Sequence, residues 1–267
     1  MNRQTRTLYF IPYMLWIVVF VIAPIILILY YSFFNIEGQF SLENYQKFFS
    51  PVYLKMTISS FWYAFLITAF SLLIGYPTAL LLTRTKHKQL WLLLIILPTW
   101  INLLLKTYAF LGIFGTYGPV NDLFVFFGMS AQQLLFTDFS FVFVSVYIFI
   151  PFMILPIFNA VDKLNPSLIA AASDLGATPL TVFRRVIFPL TLNGVKIGCQ
   201  AVFIPALSLF MITRLIAGNR VITLGTAIEQ NFLVIQDWGM GATIAVFLII
   251  AMAIIMMLTG NRKRGML

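Results

Sequence analysis

The segment Asp162-Lys-Leu-Asn-Pro-Ser-Leu-Ile-Ala-Ala-Ala-Ser-Asp-Leu-Gly-Ala-Thr-Pro-Leu-Thr-Val-Phe-Arg-Arg-Val-Ile-Phe-Pro189 lies between two long apolar runs and carries its own punctuation. Asn165 can cap a helix that begins at Pro166, because the N–H that proline lacks has no intrahelical acceptor in the first turn. Gly176 suits the left-handed position at which such a helix stops. Thr178 and Pro179 then repeat the start signal, and Pro189 marks the approach to the next apolar run. The segment therefore predicts two short helices meeting at a glycine elbow. Ala170, Ala171 and Ala172 lie on the first arm and Phe183 on the second. Small side chains let another surface come close, so the elbow is expected to be a docking element. An amphipathic hairpin resting on lipid headgroups is the other reading these residues allow.

The flanks of the elbow decide its setting. Of the 267 residues, 61% are hydrophobic and only 9% charged, and the mean hydropathy is +0.97. A water-soluble domain carries roughly a quarter charged residues, so this chain cannot solvate its own surface and its solvent must be mostly lipid. Apolar runs long enough to cross a core of roughly 30 Å extend over about Leu8–Phe34, Thr57–Leu82, Leu90–Gly115, Phe139–Ala160, Leu192–Ile212 and Ala242–Leu258. Lipid offers no partner to backbone amides, and the short alternating segments of a barrel are missing, so the spans are expected to be helical. The first run is too long for a signal-peptide core and is expected to be a retained helix. Prolines punctuate nearly every span (Pro24, Pro77, Pro98, Pro151 with Pro156, and Pro205), which suits a transporter better than a passive anchor.

The net charge of +9 does not indicate nucleic acid, since the basic residues fall in short clusters between apolar runs. Eleven of the 17 lie in alternate connections: Arg3 and Arg6; Arg84, Lys86 and Lys88; Lys163, Arg184 and Arg185; Arg262, Lys263 and Arg264. Four (Lys47, Lys55, Arg214, Arg220) lie in the others, and Lys106 and Lys196 lie within or at the edge of spans. The positive-inside rule then places both termini in the cytoplasm. Cys199 is the single cysteine and forms no intrachain disulfide. His87, among basic loop residues, is expected to be solvated, and no spacing suggests a metal site.

The elbow resembles the signature loop of the permeases of ABC importers, in which Glu-Ala-Ala is followed after three residues by Gly and after nine more by Ile-x-Leu-Pro. Ala171 and Ala172 match the alanines, Gly176 the glycine, Val186 the isoleucine position and Pro189 the proline. Phe188 replaces the leucine, and Ala170 stands at the acidic position, which leaves open any contact a glutamate would make there. Leu97-Pro-Thr-Trp100, Tyr147-Ile-Phe-Ile-Pro-Phe-Met153, Asp174-Leu-Gly-Ala177, Pro205-Ala206 with Leu209-Phe210, and Phe232-Leu-Val-Ile-Gln-Asp-Trp238 are similar to the permeases of bacterial spermidine/putrescine importers.

The resemblance implies an all-α fold of six transmembrane helices, the type I ABC importer permease fold, with residues 1–267 as one transmembrane domain. It implies a subunit in the bacterial cell membrane that pairs with a second, homologous permease. A dimer of ATPase subunits would lie below and an extracytoplasmic polyamine-binding protein above. The chain has no G-x-x-x-x-G-K-[ST] phosphate loop, so ATP and Mg are expected on the partner ATPase, with no cofactor and no enzymatic activity on this chain. Ala170, Ala171, Ala172, Asp174, Gly176 and Phe183, within a coupling loop of about 162–189, would then meet the ATPase.

A polyamine is costly to move through lipid unless its charges meet carboxylates or aromatic faces. No carboxylate falls mid-span, whereas Glu37, Glu43, Asp122, Asp138, Glu229 and Asp237 lie on the expected outer side. Trp100 and Asn102, just past Pro98, and Tyr108, about two turns further on, are candidates to line the pathway, with Glu229, Asp237 and Trp238 near its mouth. Trp238 also fits an interfacial aromatic belt, and Lys106 is expected to snorkel away from a cationic cargo. An importer of an inorganic anion or ferric iron is the alternative; its path should collect cations near the outer mouth, where Arg214 and Arg220 are the only candidates that lie together. An ion-driven transporter would call for an intramembrane carboxylate or paired broken helices, and a membrane enzyme for a catalytic cluster; neither is visible.

Overall fold

The structure is a computed structural model that describes residues 3–218 and 220–260, with side chains from residue 10 onward. Arg262, Lys263 and Arg264 and the side chains of Arg3 and Arg6, which contribute to the charge asymmetry, lie outside the described residues. The described residues are helical throughout apart from loops and one isolated antiparallel bridge, Phe34 with Phe40.

α1 (Arg3–Ile17) and α2 (Ala23–Tyr31) join through a π turn, Val18–Ile22, into one apolar rod. Pro24 has no N–H for the carbonyl a turn earlier and its ring crowds that carbonyl, which accounts for the widened turn. None of the side chains from Phe10 to Tyr31 is buried. A tight hairpin and the short α3 (Glu43–Phe48) lead into α4 (Pro51–Thr83). At 1.5 Å per residue the 33 residues of α4 reach about 50 Å, more than a bilayer core requires. Its buried residues Ser60, Ala64, Ile67, Ser71, Gly75, Ala79 and Leu82 recur every three or four positions. Such a face of mostly small side chains lets helices pack closely in lipid, where no hydrophobic effect drives them together.

The third apolar run is where the structure departs from the sequence reading. Leu90–Gly115 is not one span. α5 (Lys88–Ile96) tightens into a 3₁₀ turn, Leu97–Trp100, and the backbone then extends at Ile101 before α6 (Leu103–Phe114) begins. The cause is local: Pro98 removes a donor, and the Asn102 side chain caps the new helix by accepting from the Leu104 N–H at 2.8 Å. α7 (Pro119–Phe126) comes after a bend at 115–118, and Leu103–Phe126 is long and apolar enough to span.

α8 (Asp138–Asp162), opened by a capping box of Thr137 and Ser140, packs against both α4 and the later α11 and is the most enclosed helix. The elbow comes next as α9 (Pro166–Asp174) and α10 (Pro179–Val182). A second π turn, Phe183–Ile187, carries the chain into α11 (Phe188–Leu207). The fifth run was expected from Leu192 to Ile212, but the helical stretch is Pro179–Leu207. Beyond it come α12 (Met211–Ile216), α13 (Leu224–Gln230), a third π turn at Asn231–Ile235, and α14 (Trp238–Thr259). Six stretches of the described residues are long and apolar enough to cross a membrane.

The bundle has two distinct ends. A Lys88–Asp162 ion pair at 2.5 Å joins the turn after α4 to the start of the elbow. α4 runs from there to the opposite end, where α3 and the first turns of α14 meet and the Phe48 and Phe247 rings stack 3.9 Å apart.

Candidate functional site

The elbow is built almost entirely from its own residues. The Asn165 side chain accepts from the Ser167 N–H at 3.0 Å, and the Thr178 hydroxyl accepts from the Thr181 N–H at 3.3 Å. Between the arms Gly176 adopts φ +79°, and a Cβ built there would meet nothing within 4 Å. Its backbone conformation, rather than any lack of space, is what demands glycine. No residue of α9 is buried, and Leu175 at the tip is 88% exposed. Ala170, Ala171 and Asp174 are exposed and Ala172 is half-buried.

Phe183 is placed differently from the other coupling candidates. Its half-buried ring meets the Tyr76 ring edge-on at 5.6 Å and lies 6.1 Å from that of Phe188. The Tyr76 hydroxyl in turn shares a 2.7 Å hydrogen bond with Thr191 on α11. Phe183 thus anchors the second arm to the bundle instead of projecting from it.

The proposed pathway residues fall into two groups on different helices. Trp100 and Tyr108 are exposed, the former at 78%, on a segment that packs against α4, α8 and α12. Asn102 spends its side-chain oxygen on the α6 cap. Lys106 is half-buried there and His87 is exposed. Asp237 and Trp238 open α14, which packs against α2, α3, α11 and α13. Asp237 Oδ1 caps that helix, accepting from the Met240 N–H at 2.9 Å. The Trp238 ring lies 5.5 Å from Phe232 and 6.1 Å from Tyr31.

Several carboxylates of this end are already partnered. Glu229 Oε1 receives a 2.6 Å bond from Arg214 Nη1, and the glutamate side chain is only 10% exposed against 58% for the arginine. Glu229 is thereby neutralised within the chain. Asp138 accepts from the Tyr63 hydroxyl at 3.0 Å. Glu43 pairs with Lys47 at 2.8 Å. That contact, and more weakly the field of Asp237, raises the Lys47 ammonium above its ordinary value. Among the described residues no three His, Cys, Asp or Glu side chains gather in a way that could hold a metal ion.

Sequence reasoning missed the surroundings of Trp238. Tyr30, Tyr31, Phe34, Asn35, Ile36, Gly38, Gln236 and Gly239 line a recess of about 570 Å³ with it. The Tyr30-Tyr31 doublet closing the first apolar run was the available signal; its pairing with α14 was not readable locally. Gly239 is required there, since a Cβ would run into the Phe34 carbonyl oxygen. Asn44 donates to that same oxygen at 2.8 Å, and Thr243 donates to the Ser32 carbonyl at 3.2 Å.

No family model matches the chain. Among curated proteins it is 34% identical over 250 residues to the spermidine/putrescine transport system permease protein PotB of Haemophilus influenzae, covering 90% of this chain and 87% of that one. It is also 34% identical over 259 residues to PotB of Escherichia coli, with 93% and 94% covered. A 2-aminoethylphosphonate transport permease of Salmonella typhimurium, PhnU, itself named as putative, is 26% identical over 85% of the chain and 82% of the relative. In fold the chain is similar to a chain of a bacterial ABC transporter that imports alginate (TM-score 0.82, 16% identity, 96% and 94% covered). A chain of that transporter in complex with an alginate-bound periplasmic protein gives a TM-score of 0.83 at 15% identity, with 98% and 94% covered.

Proposed function

The chain belongs to the family of spermidine/putrescine transport permeases, and from that membership we propose how its two ends divide the work. It is a multi-pass membrane protein and the permease of an ABC importer for polyamines, a transport subunit and not an enzyme. We assign the elbow to the cytoplasm, where its exposed tip at Leu175 and small residues Ala170, Ala171, Ala172 and Gly176 fit a groove on an ATPase. Phe183, seated on Tyr76, would carry that subunit's movement into α4 and α11. Asp174, on the exposed arm, completes the contact. Trp100, Tyr108, Asp237 and Trp238 face the cargo, while Asn102 shapes the bend and Glu229 holds Arg214.

The partners are a second permease (PotC-like), an ATPase dimer (PotA-like) that holds ATP and Mg, and an extracytoplasmic polyamine-binding protein (PotD-like). Rocking of two such bundles about a central path is the transport step. The observation that carries this reading is the elbow: a self-capped, exposed corner at one end of the bundle, with aromatic and acidic groups gathered at the other. An anion importer is not favoured, because Arg214, one of only two outer cations outside the α3–α4 region, is already bound to Glu229.

The test is purification with the three partners and ATPase assays in lipid. Spermidine or putrescine with the binding protein is expected to stimulate hydrolysis and sulfate to leave it at its basal rate; the reverse pattern would overturn the cargo assignment. For orientation, single cysteines at Lys86 and Thr178 are expected to react with impermeant maleimide only from the cytoplasmic side, and one at Asp122 only from outside. Labelling of position 178 from outside would reverse the topology.

A further inference from the structure

We infer that the recess between α2 and the start of α14 is a binding site for an ammonium group, walled by Tyr30, Tyr31, Phe34 and Trp238, at the end of the bundle away from the elbow. This inference rests on the polyamine reading for the identity of its cargo, though not for its chemistry. Three features of the recess point to a cation. First, its walls are aromatic side chains: the Tyr30 and Phe34 rings lie 4.7 Å apart, and the Tyr31 and Trp238 rings 6.1 Å apart. Tyrosine and tryptophan faces attract ammonium groups through the ring quadrupole. Second, among the described residues no arginine or lysine lines it, while Asn35 and Gln236 bring amide groups and Asp237 sits in the chain between Gln236 and Trp238. Third, the recess is built by groups distant in sequence. Asn44 and the close approach of Gly239 fix the Phe34 carbonyl, and Gln236 is held at φ +61°, in the left-handed region. A frame fixed in this way loses little freedom on binding.

The volume of about 570 Å³ lies within the range of roughly 300–1,000 Å³ usual for small-molecule sites, ample for a linear triamine. Ammonium at this end of the bundle has two sources: the polyamine released for import, and the amine headgroup of a neighbouring lipid. Both would use the same aromatic walls, and only the first makes the recess a waiting position for cargo ahead of the bilayer.

The experiment uses the assembled transporter in nanodiscs and equilibrium binding of radiolabelled spermidine without the binding protein. In discs of phosphatidylglycerol alone, saturable binding is expected, competed by tetramethylammonium and unaffected by sulfate. Tyr31→Leu with Trp238→Leu is expected to weaken it at least tenfold, and Tyr31→Phe with Trp238→Phe by less than threefold. If the leucine pair fails to assemble, Tyr30→Leu, at a residue 57% exposed, carries the expectation at about threefold. In discs half phosphatidylethanolamine, a weaker apparent affinity for spermidine identifies the headgroup as a second occupant. Wild-type affinity in an assembled leucine pair, or in Tyr30→Leu, would overturn the site while leaving import as the function. Tetramethylammonium bound at the recess, with no import of spermidine by the wild type, would sink the polyamine reading and leave the site standing.

Discussion

The elbow and the opposite end of the bundle are built by contrary means. The hydrogen bonds that cap the two arms of the elbow come from within a few residues, as with Asn165 to Ser167 and Thr178 to Thr181, and a side chain added at Gly176 would meet open space. At the far end the shape is made by groups from opposite ends of the chain. Phe34 meets Gly239, Ser32 meets Thr243, and Phe48 stacks on Phe247. A corner proposed to dock on another protein can be exposed and self-sufficient. A cavity that must keep its form needs walls that brace one another. The difference also separates the effects of substitution: at one end a change alters function with the fold intact, and at the other it reaches the fold first.

The largest effect that would test this contrast is at Gly239. Adding even one methyl group drives it into the Phe34 carbonyl, so Gly239→Ala is expected to cost about 3 kcal/mol or more. The measure is thermal unfolding of the purified chain in detergent; a stability equal to wild type would show that the far end is loosely assembled. Gly176→Val is expected to abolish uptake in cells while membrane insertion is retained. Holding a branched residue in the left-handed region costs roughly 1–2 kcal/mol, and relief of that strain re-aims α10. Asparagine tolerates this region better, so Gly176→Asn is expected to keep partial uptake. Normal uptake by the valine variant would reduce the elbow to a surface ornament.

Asp237→Asn sharpens the comparison at smaller scale. Asparagine caps helices as well as aspartate does, so stability is expected to stay within about 0.5 kcal/mol. Losing one attractive charge near the cargo is expected to cost about 0.5–2 kcal/mol, a several-fold to tenfold rise in half-saturating spermidine. Unchanged uptake kinetics would remove Asp237 from the path. The smallest effect belongs to Lys47, whose ammonium is raised by Glu43. A raised lysine stabilises the fold at pH below its unfolded value of 10.5, and that contribution is lost as pH climbs through the folded value. Glu43→Gln is expected to remove about 0.2–0.5 kcal/mol at neutral pH and to leave a melting curve that depends less on this titration in strongly alkaline solution.

The same contrast explains what could be seen in the sequence. The six apolar stretches were legible because a bilayer imposes length and hydropathy on each of them separately. The elbow was legible to the residue, since a cap, a proline and a glycine act within one turn. Pro98 marked the third run, but that the helix stops and restarts at Ile101–Asn102 was not readable from it, and Asn102, expected as a pathway group, serves as a cap. Phe183 suggested an outward contact because its partner, Tyr76, lies on another helix far earlier in the chain. Glu229 looked like a free carboxylate until α12 and α13 brought Arg214 beside it. Around Trp238, only the tertiary fold joins Tyr31 to α14.

The π turn at Phe183–Ile187 bears on how this chain can tolerate changes in length. A π turn holds one residue more than the α turn it replaces, and each residue of an α-helix is rotated from its neighbour by about 100°. Deleting a single residue there would let the turn close into ordinary helix with little loss of reach. Because the π turn and the α turn it becomes each make about one full turn, the tip at Leu175 would keep nearly the same bearing around the axis of α11. For a part proposed to fit a socket on another molecule, one codon lost at this spot is absorbed with the aim kept, while the same loss within α11 would turn the tip by about 100°.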